Sequence, residues 1–274
     1  MERPENLLSV ALEAAAAGSS YLLEGYGRTL EVRFKGAIDL VTQYDVGSEN
    51  IVRKIISRSF PGHSILAEEG GMSGQQSAYR WYIDPLDGTT NFTRSHPFFA
   101  VSIACCLIVP GRPPRPLAGV VEAPVLRESF WAYEGGGAHH SQEIRGRGEI
   151  EERMKTTETC DPAEALINTG FPYDIANRPE QILSSMSRIL PKVRAVRRAG
   201  AASLDLAYVA CGRADGYWEY GIKPWDVAAG CLLISEAGGL FSELNGAPYI
   251  LEKSETMLAG NRFIHGRLLS LLNG

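Results

Sequence analysis

The feature that most constrains this chain is a hydrophobic run that ends abruptly at two aspartates. The segment reads WYIDPLDGTTNF, from Trp81 to Phe92. Its first three residues are typical of a buried β-strand, and Asp84 and Asp87 follow directly. Two carboxylates at a strand end suit a Mg²⁺ ion, and the Gly-Thr-Thr turn behind them can offer backbone N–H groups to a phosphate oxygen. A metal beside a phosphate predicts phosphoryl chemistry.

An ordinary surface turn is the alternative explanation of these residues. Asp-Pro and Asp-Gly pairs both occur in many turns that bind nothing. The choice between the two explanations therefore depends on whether further acidic residues are positioned to join the same site.

Further acidic residues occur at the ends of two other predicted elements. Glu68 and Glu69 follow a short strand, Ser64 to Ala67, and Asp226 lies in the first turn of a helix predicted from Trp225 to Ala237. Taken singly, they are explained as a solvated loop pair and a charge at a helix N-terminus. Together with the two strand-end aspartates they predict a metal site, because rigid elements can aim several ionised carboxylates at one point.

Composition and charge exclude several classes of protein. The chain has 274 residues, of which 45% are hydrophobic and 22% charged, and its net charge is -5. These values are typical of a globular protein of one or two domains and give no reason to expect a membrane or nucleic-acid partner. The five cysteines are scattered and odd in number, which favours reduced core residues. Since we find no signal peptide and no apolar run of about 20 residues, we expect a cytoplasmic protein.

The order of the predicted elements divides the chain into two halves. Residues 1–150 form an α+β half of helices followed by consecutive strands, including a strand from Leu30 to Phe34 and a helix from Val46 to Ser59 that Asp45 would cap. In residues 151–274 strands and helices alternate, as in an α/β unit. A polar stretch near residues 140–160 separates them. We expect the first half to carry most metal ligands and the second to complete the active site.

These segments together resemble the inositol monophosphatase family of Mg²⁺-dependent, lithium-sensitive phosphatases. The matching segments span nearly the whole chain in the family's order, and they are Asp39–Asp45 (DLVTQYD), Ala67–Gly70 (AEEG), Trp81–Phe92, Arg198–Ser203 (RAGAAS) and Trp225–Gly230 (WDVAAG). The resemblance implies a layered αβαβα sandwich of the sugar phosphatase type, which usually forms a homodimer.

The resemblance also implies a set of metal ligands. Glu68, Asp84 and the backbone carbonyl of Leu86 would hold one Mg²⁺ ion. Asp84, Asp87 and Asp226 would hold a second, so that Asp84 bridges the two. A weaker third ion near Glu68 would bring the number to three per subunit.

The catalytic and substrate-binding residues follow from the same resemblance. Thr89, oriented by Asp45, would activate the attacking water, and Glu68 is the next candidate for that role. The N–H groups of Gly88 and Thr89 would hold the phosphate, whereas Gly200, Ala201 and Glu219 would contact the polyol. The full set of implied substrate-binding residues is Asp87, Gly88, Thr89, Thr90, Gly200, Ala201, Glu219 and Asp226.

The predicted reaction is hydrolysis of a small polyol or sugar phosphate, with inositol 1-phosphate as the first candidate. Thr90, where related phosphatases of nucleotides carry lysine, favours the inositol-type branch, but fructose 1,6-bisphosphate stays open as an alternative substrate. A different alternative is a non-enzymatic role with RNA or the transcription machinery, for which Arg194, Arg197 and Arg198 form a small basic cluster. A solvated strand end or a subunit contact is the preferred explanation of that cluster, and the intact catalytic positions favour an enzyme.

Overall fold

The computed structural model describes residues 2–28, 32–34, 40–172, 174–177 and 179–274, with the backbone alone at 32–34. Within these ranges the α-helices are α1 (Pro4–Gly25), α2 (Gln43–Ser59), α3 (Thr89–Thr93), α4 (Pro179–Ile189), α5 (Ala202–Ala210), α6 (Pro224–Glu236) and α7 (Ile264–Asn273). Two short 3₁₀ helices span Pro162–Glu164 and Ile175–Asn177. None of the described helices is long and apolar enough to cross a bilayer.

The strands form a small ribbon and two larger sheets. The ribbon pairs β1 (Val32–Phe34) with β2 (Leu40–Thr42). The strands of the first sheet are β3 (Ser64–Ala67), β4 (Gly71–Ser73), β5 (Tyr79–Asp87), β6 (Ala100–Leu107), β7 (Arg115–Ala123), β8 (Glu128–Tyr133), β9 (Gly137–Ile144) and β10 (Gly148–Arg153). Their spatial order is β10-β9-β8-β7-β6-β5-β3-β4, and β3 runs parallel to β5 while the other neighbours are antiparallel.

The second sheet is smaller and mixed. Its strands are β11 (Leu166–Thr169), β12 (Ala195–Arg197), β13 (Gly216–Tyr220), β14 (Leu240–Ser242) and β15 (Thr256–Gly260). They lie in the order β12-β11-β13-β15-β14. β11 is parallel to both of its neighbours, and the pairs that β15 makes are antiparallel.

Helices and sheets alternate in five layers. α1 and α2 pack on one face of the first sheet, α5 and α6 lie between the two sheets, and α4 and α7 cover the outer side of the second sheet. The predicted αβαβα sandwich is therefore confirmed. The layering explains two apolar runs in the sequence: β6 is covered on both faces, and α6, which lies between two sheets, is buried from Val227 to Ile234.

The start of α2 corrects one prediction. The helix expected from Val46 begins at Gln43, because Thr42 caps it instead. Tyr44 N donates to Thr42 Oγ1 at 3.0 Å, and Thr42 N donates to Asp45 Oδ2 at 2.8 Å. This reciprocal pair is a capping box, so Asp45 is the third residue of the helix rather than its N-cap.

The polar stretch near residues 140–160 contains the β9–β10 hairpin, which the sequence analysis missed. This hairpin is at the edge of the sheet, and most of β10 is exposed, so the strand shows little apolar alternation. The division of the chain near residue 150 stays a prediction. Leu30, in the predicted strand, and Asp39, in one of the family segments, lie outside the described residues.

Candidate active site

A cleft of about 270 Å³ opens where the end of β5, the start of α3 and the N-termini of α5 and α6 meet. Apart from Asp45, every site residue predicted from the sequence lines it: Glu68, Asp84, Leu86, Asp87, Gly88, Thr89, Thr90, Gly200, Ala201, Glu219 and Asp226. Residues that are far apart in the chain are thus gathered at one place by the layered fold.

A bulge in β5 lets both aspartates of the central motif face this cleft. Asp84 pairs with Ser102 and Asp87 with Ala100, so β5 advances three residues while β6 advances two. In a regular strand, residues three apart point to opposite faces, and one extra residue brings them back to the same side. Pro85 lies within the bulge, where its missing N–H costs no ladder hydrogen bond. Both aspartates therefore lie in β5 itself, not beyond its end as the sequence predicted.

Hydrogen bonds from the backbone hold one oxygen of each of the three aspartates predicted as metal ligands. Leu86 N donates to Asp84 Oδ1 at 3.0 Å. The α5 residue Ser203 donates to Asp87 Oδ2 from its N at 2.7 Å and from its Oγ at 2.5 Å. At the start of α6, Asp226 Oδ2 accepts a hydrogen bond from the Lys223 N at 2.8 Å. The three carboxylates are therefore anchored by three different elements of the fold.

The cleft carboxylates repel one another. Burial, followed by the charges of Glu68, Asp87 and Asp226, raises the pKa of Asp84 well above its ordinary value. Burial and the charges of Asp87 and Glu68 do the same to the pKa of Asp226. Burial raises the pKa of Asp87 to about 6 even though the Ser203 hydrogen bonds oppose the change. Such a crowd of buried anions favours the binding of a cation.

The donor set fits Mg²⁺ in its chemistry. Carboxylate and carbonyl oxygens are hard ligands of the kind that Mg²⁺ prefers. Within the described ranges, however, no three acidic, histidine or cysteine side chains are already arranged to enclose an ion.

Thr89 and Asp45 form a hydrogen-bonded pair behind the cleft. Thr89 Oγ1 lies 2.9 Å from Asp45 Oδ1, to which it can donate, and 3.2 Å from the Leu86 carbonyl oxygen. Asp45 is 1% exposed and does not line the cleft. Its Oδ2 accepts hydrogen bonds from Thr42 N and from Thr42 Oγ1, the latter at 2.6 Å. The carboxylate is thereby fixed in the orientation that meets the threonine hydroxyl.

Two glycines bring backbone close to the motif. Gly88 has φ +95°, and a Cβ on it would lie 3.1 Å from Phe98 O and 3.2 Å from Gly200 O. Gly200 has φ +94° and would place a Cβ 2.7 Å from the guanidinium of Arg198. A side chain at either position would be strained. Gly88 precedes α3, whose first amides have no acceptor within the helix.

Sequence reasoning missed two residues that assemble this site. Asn91 Nδ2 donates to Phe98 O at 2.6 Å and to Ala199 O at 2.8 Å, which ties the central motif to the segment before α5. Ser203 holds Asp87, as described above. Both lie inside the family segments quoted from the sequence, so the signal was present, but their partners are about 110 residues away and only the fold reveals them.

The cleft is also lined by a further glutamate, two cations and an aromatic ring, Glu219, Arg198, Lys223 and Phe171. Burial raises the pKa of Glu219 to about 7, against a hydrogen bond that its Oε2 accepts from the Tyr217 hydroxyl. Arg198 and Lys223 also line the cleft, and the Arg198 guanidinium lies 5.7 Å from the centroid of the Phe171 ring. These side chains could therefore form hydrogen bonds with a ligand, while the Phe171 ring packs against an apolar face of it.

Comparison with known proteins agrees with this geometry. Residues 3–274 match the sequence model of the inositol monophosphatase family. The chain belongs to this family. It is 39% identical to the inositol-1-monophosphatase of Mesorhizobium japonicum over 96% of this chain and 94% of that protein.

Two further relatives cover nearly all of the chain. The Nus factor SuhB of Pseudomonas aeruginosa is 39% identical over 97% of this chain and 95% of its own length. The solved structure of inositol monophosphatase from Anabaena superposes with a TM-score of 0.82 at 38% identity, covering 98% of this chain and 95% of that one. The relatives of this chain thus include proteins named for an enzyme activity and proteins named as Nus factors.

Proposed function

We propose that this protein is a Mg²⁺-dependent phosphatase that hydrolyses the phosphate monoester of a small polyol or sugar, with inositol 1-phosphate as the first candidate. The observation that carries the proposal is the convergence of Asp84, Asp87 and Asp226 in one cleft with the Thr89–Asp45 pair. Membership of a phosphatase family supports the same reaction class.

The metal ligands in this proposal are the oxygens that already line the cleft. Glu68, Asp84, Asp87, Asp226 and the Leu86 carbonyl would hold two or three Mg²⁺ ions. Bound Mg²⁺ would neutralise phosphate charge and lower the pKa of a coordinated water. The protein's own task is to anchor these carboxylates and to favour their ionised form, and the hydrogen bonds from Ser203 and from the Lys223 N act in that direction against burial.

Thr89 is the residue that we assign to water activation. When its hydroxyl donates to Asp45 Oδ1, the lone pairs of Oγ1 are left to accept a hydrogen bond from a water molecule in the cleft. Asp45 can then receive the hydroxyl proton as Thr89 takes one from the water. Glu68, which also lines the cleft, is the next candidate for this role.

The remaining residues would hold the two halves of the substrate. Gly88 precedes α3 and Thr89 and Thr90 begin it, and the free first amides of a helix suit a phosphate oxygen. Gly200, Ala201 and Glu219 also line the cleft, where Glu219 would accept hydrogen bonds from polyol hydroxyls. A subunit of this kind would act in the cytoplasm as a homodimer, for which sedimentation of the purified protein is the direct test.

The decisive experiment is a panel of phosphate monoesters assayed for released phosphate in Mg²⁺ and in excess EDTA. The panel contains inositol 1-phosphate, fructose 1,6-bisphosphate and p-nitrophenyl phosphate. We expect hydrolysis that depends fully on Mg²⁺, is fastest on inositol 1-phosphate and is inhibited by lithium. Equal rates in EDTA would overturn the metal assignment, and preference for the bisphosphate would transfer the proposal to that substrate, for whose second phosphate Arg198 and Lys223 offer positive charge in the cleft.

A role with RNA is a second candidate because one relative is named as a Nus factor. Arg194, Arg197 and Arg198 are all exposed, as such a role requires. Binding of RNA that weakens steeply with salt, together with no hydrolysis of any ester in the panel, would favour this candidate over the enzyme.

A further inference from the structure

Asp205 is a buried acid in the wall of the cleft that the roles proposed above do not use. It lies in the first turn of α5 and is 1% exposed, yet it lines the same cavity as the metal ligands. Its Oδ1 has no hydrogen-bond partner among the described residues. Its backbone, by contrast, is held on both sides, since Asp205 N donates to Ala201 O at 3.0 Å and Asn168 Nδ2 lies 3.5 Å from Asp205 O.

The buried aspartate Asp215 gives a direct contrast to Asp205. Asp215 is 6% exposed, and both of its oxygens are satisfied: Thr157 Oγ1 donates to Oδ1 at 2.6 Å and Leu166 N donates to Oδ2 at 2.7 Å. A buried carboxyl oxygen without a donor lowers stability. We therefore expect Asp205 Oδ1 to accept its hydrogen bond from a ligand in the cleft.

The surroundings of Asp205 indicate what that partner is. Burial and the charges of Glu219 and Asp87 raise its pKa, and Arg198 acts in the opposite direction. The carboxyls repel a phosphate oxygen, so the phosphate end of a substrate is excluded from this position. A hydroxyl group can donate a hydrogen bond to an acid whether the acid is ionised or neutral, so it suits this place in either state.

We propose that Asp205 is a specificity-determining residue that accepts a hydrogen bond from a hydroxyl of the polyol half of the substrate. This assignment rests on the proposed phosphatase function and names the substrate class more closely: a monoester that carries a hydroxyl within reach of α5. The same helical turn holds Asp87 through Ser203, so the helix fixes the distance between the reacting phosphate and the hydroxyl that is recognised.

Two variants of Asp205 separate recognition from packing. Asp205→Leu has a similar size but no acceptor, whereas Asp205→Asn retains a weaker, neutral acceptor. The matched control is Asp215→Asn, which alters an aspartate outside the cleft. For each protein we would measure kcat/KM on inositol 1-phosphate and on p-nitrophenyl phosphate, which has no alcohol hydroxyl, and the melting temperature.

The expected result is a selective loss. Asp205→Leu should lower kcat/KM for inositol 1-phosphate by about tenfold to a hundredfold, the scale of one hydrogen bond to a charged group, and should leave p-nitrophenyl phosphate hydrolysis nearly unchanged. Its melting temperature should stay level or rise, because an unpaired buried carboxyl is removed. The kcat/KM of Asp205→Asn for inositol 1-phosphate should lie between the values of the wild type and of Asp205→Leu. Asp215→Asn should lower the melting temperature and leave the ratio of the kcat/KM values for the two substrates unchanged.

Other outcomes overturn the inference in distinguishable ways. Equal losses on both substrates would show that Asp205 supports the metal site or the fold, and no loss on either would show that it contacts no substrate. If the wild-type protein hydrolyses no ester, the proposed function fails by itself. Calorimetric titration with inositol 1-phosphate then still tests the contact: weaker binding to Asp205→Leu than to wild type upholds it, and equal or absent binding overturns it.

Discussion

Two groups of buried carboxylates in this protein have opposite surroundings. In the cleft, burial and mutual repulsion raise the pKa values of Asp84 and Asp226. At the start of β8, Glu128 is also buried, and burial alone would raise its pKa, but hydrogen bonds and charge from His140, Arg213 and Tyr208 outweigh burial and lower it. A carboxylate is thus destabilised by its surroundings in the cleft, whereas at Glu128 the surrounding groups stabilise its negative charge.

Glu128 and three neighbouring side chains form what we call the Glu128 network. Arg213 Nη1 lies 2.5 Å from Glu128 Oε1, Tyr208 donates to Oε2 at 2.9 Å, and His140 Nε2 lies 3.5 Å from Oε1. The Arg213 guanidinium also lies over the Tyr208 ring, 4.9 Å from its centroid. A carboxylate whose charge is matched within the protein has a structural task. A group of carboxylates that lacks such matching lowers stability and would be stabilised by a bound cation, which is the physical argument for the proposed metal site.

The largest effect that would test this contrast comes from Asp226→Asn. Loss of one ligand charge should lower kcat on the order of 10³-fold, the upper range for removing one electrostatic contact in a reacting site. In EDTA the melting temperature should stay level or rise, because repulsion is relieved, and the rise normally produced by Mg²⁺ should shrink. Phosphate release and thermal unfolding measure the two effects. Near-normal kcat would mean that Asp226 merely caps α6.

Thr89→Ala should have the next largest effect. Removing the hydroxyl that lies 2.9 Å from Asp45 should lower kcat by about 10²-fold, the usual scale for a positioned proton-transfer group. Mg²⁺ binding, measured by calorimetry, should change little, because the carboxylates remain. Thr89→Ser keeps a hydroxyl and is the matched control. If Thr89→Ala and Thr89→Ser are equally active, the activating role belongs to another residue, with Glu68 the first to examine.

Glu128→Gln replaces a carboxylate by an amide in the Glu128 network, as Asp226→Asn does in the cleft. The expected result is the opposite one: stability should fall and activity should remain. The Arg213 charge loses its partner, so the free energy of unfolding should fall by about 1–3 kcal/mol, as for a hydrogen bond to a charged group. The value of kcat should be retained. Urea unfolding and the phosphate assay together test this. A variant that loses activity but not stability would show that the two carboxylate groups do not differ as described.

The two groups also differ in how far the sequence predicts them. Asp84, Asp87 and Asp226 stand in local patterns whose chemistry can be read from neighbouring residues, and the structure places them in one cleft. The bulge that turns Asp84 and Asp87 to the same side could not be predicted, because it is defined by pairing with β6. Glu128 gave no signal, since its network depends on Tyr208 and Arg213, which are 80 or more residues away.

The layered sandwich was expected from the family resemblance, whereas local patterns indicated the individual helices and strands. β6 and α6 are apolar along nearly their whole length because each is covered on both sides. The lack of polar positions in these runs therefore indicates their environment. The β9–β10 hairpin is at an exposed edge of the sheet, where β10 contacts solvent and shows no apolar alternation. The sequence analysis therefore missed it. Patterns within the sequence thus predict elements whose surroundings are uniform, and fail where a partner from a distant segment decides the structure.

The smallest predicted effect is a pH dependence of the stabilisation by Mg²⁺. The folded pKa of Asp87, one of the proposed metal ligands, is raised to about 6. In the absence of metal, its ionised form therefore destabilises the fold at higher pH, and the destabilisation shrinks as the pH falls from the folded pKa towards the ordinary aspartate pKa. Since Mg²⁺ requires ionised ligands, its stabilising effect should be largest near pH 8 and should shrink towards about pH 5, by up to about 1.4 kcal/mol per pH unit for each proton taken up.

Subtracting the free energy of unfolding in EDTA from that in Mg²⁺ at each pH isolates this effect. His63 and His265, whose pKa values burial lowers, contribute equally to both measurements and cancel. The Glu128 network should cancel too: its pKa is lowered, so its stabilisation is present above the ordinary glutamate pKa and is lost only at more acidic pH. Glu128→Gln should therefore reproduce the wild-type difference, whereas Asp226→Asn should flatten it. A Mg²⁺ effect that does not change between about pH 8 and about pH 5 would show that the cleft carboxylates do not bind the ion.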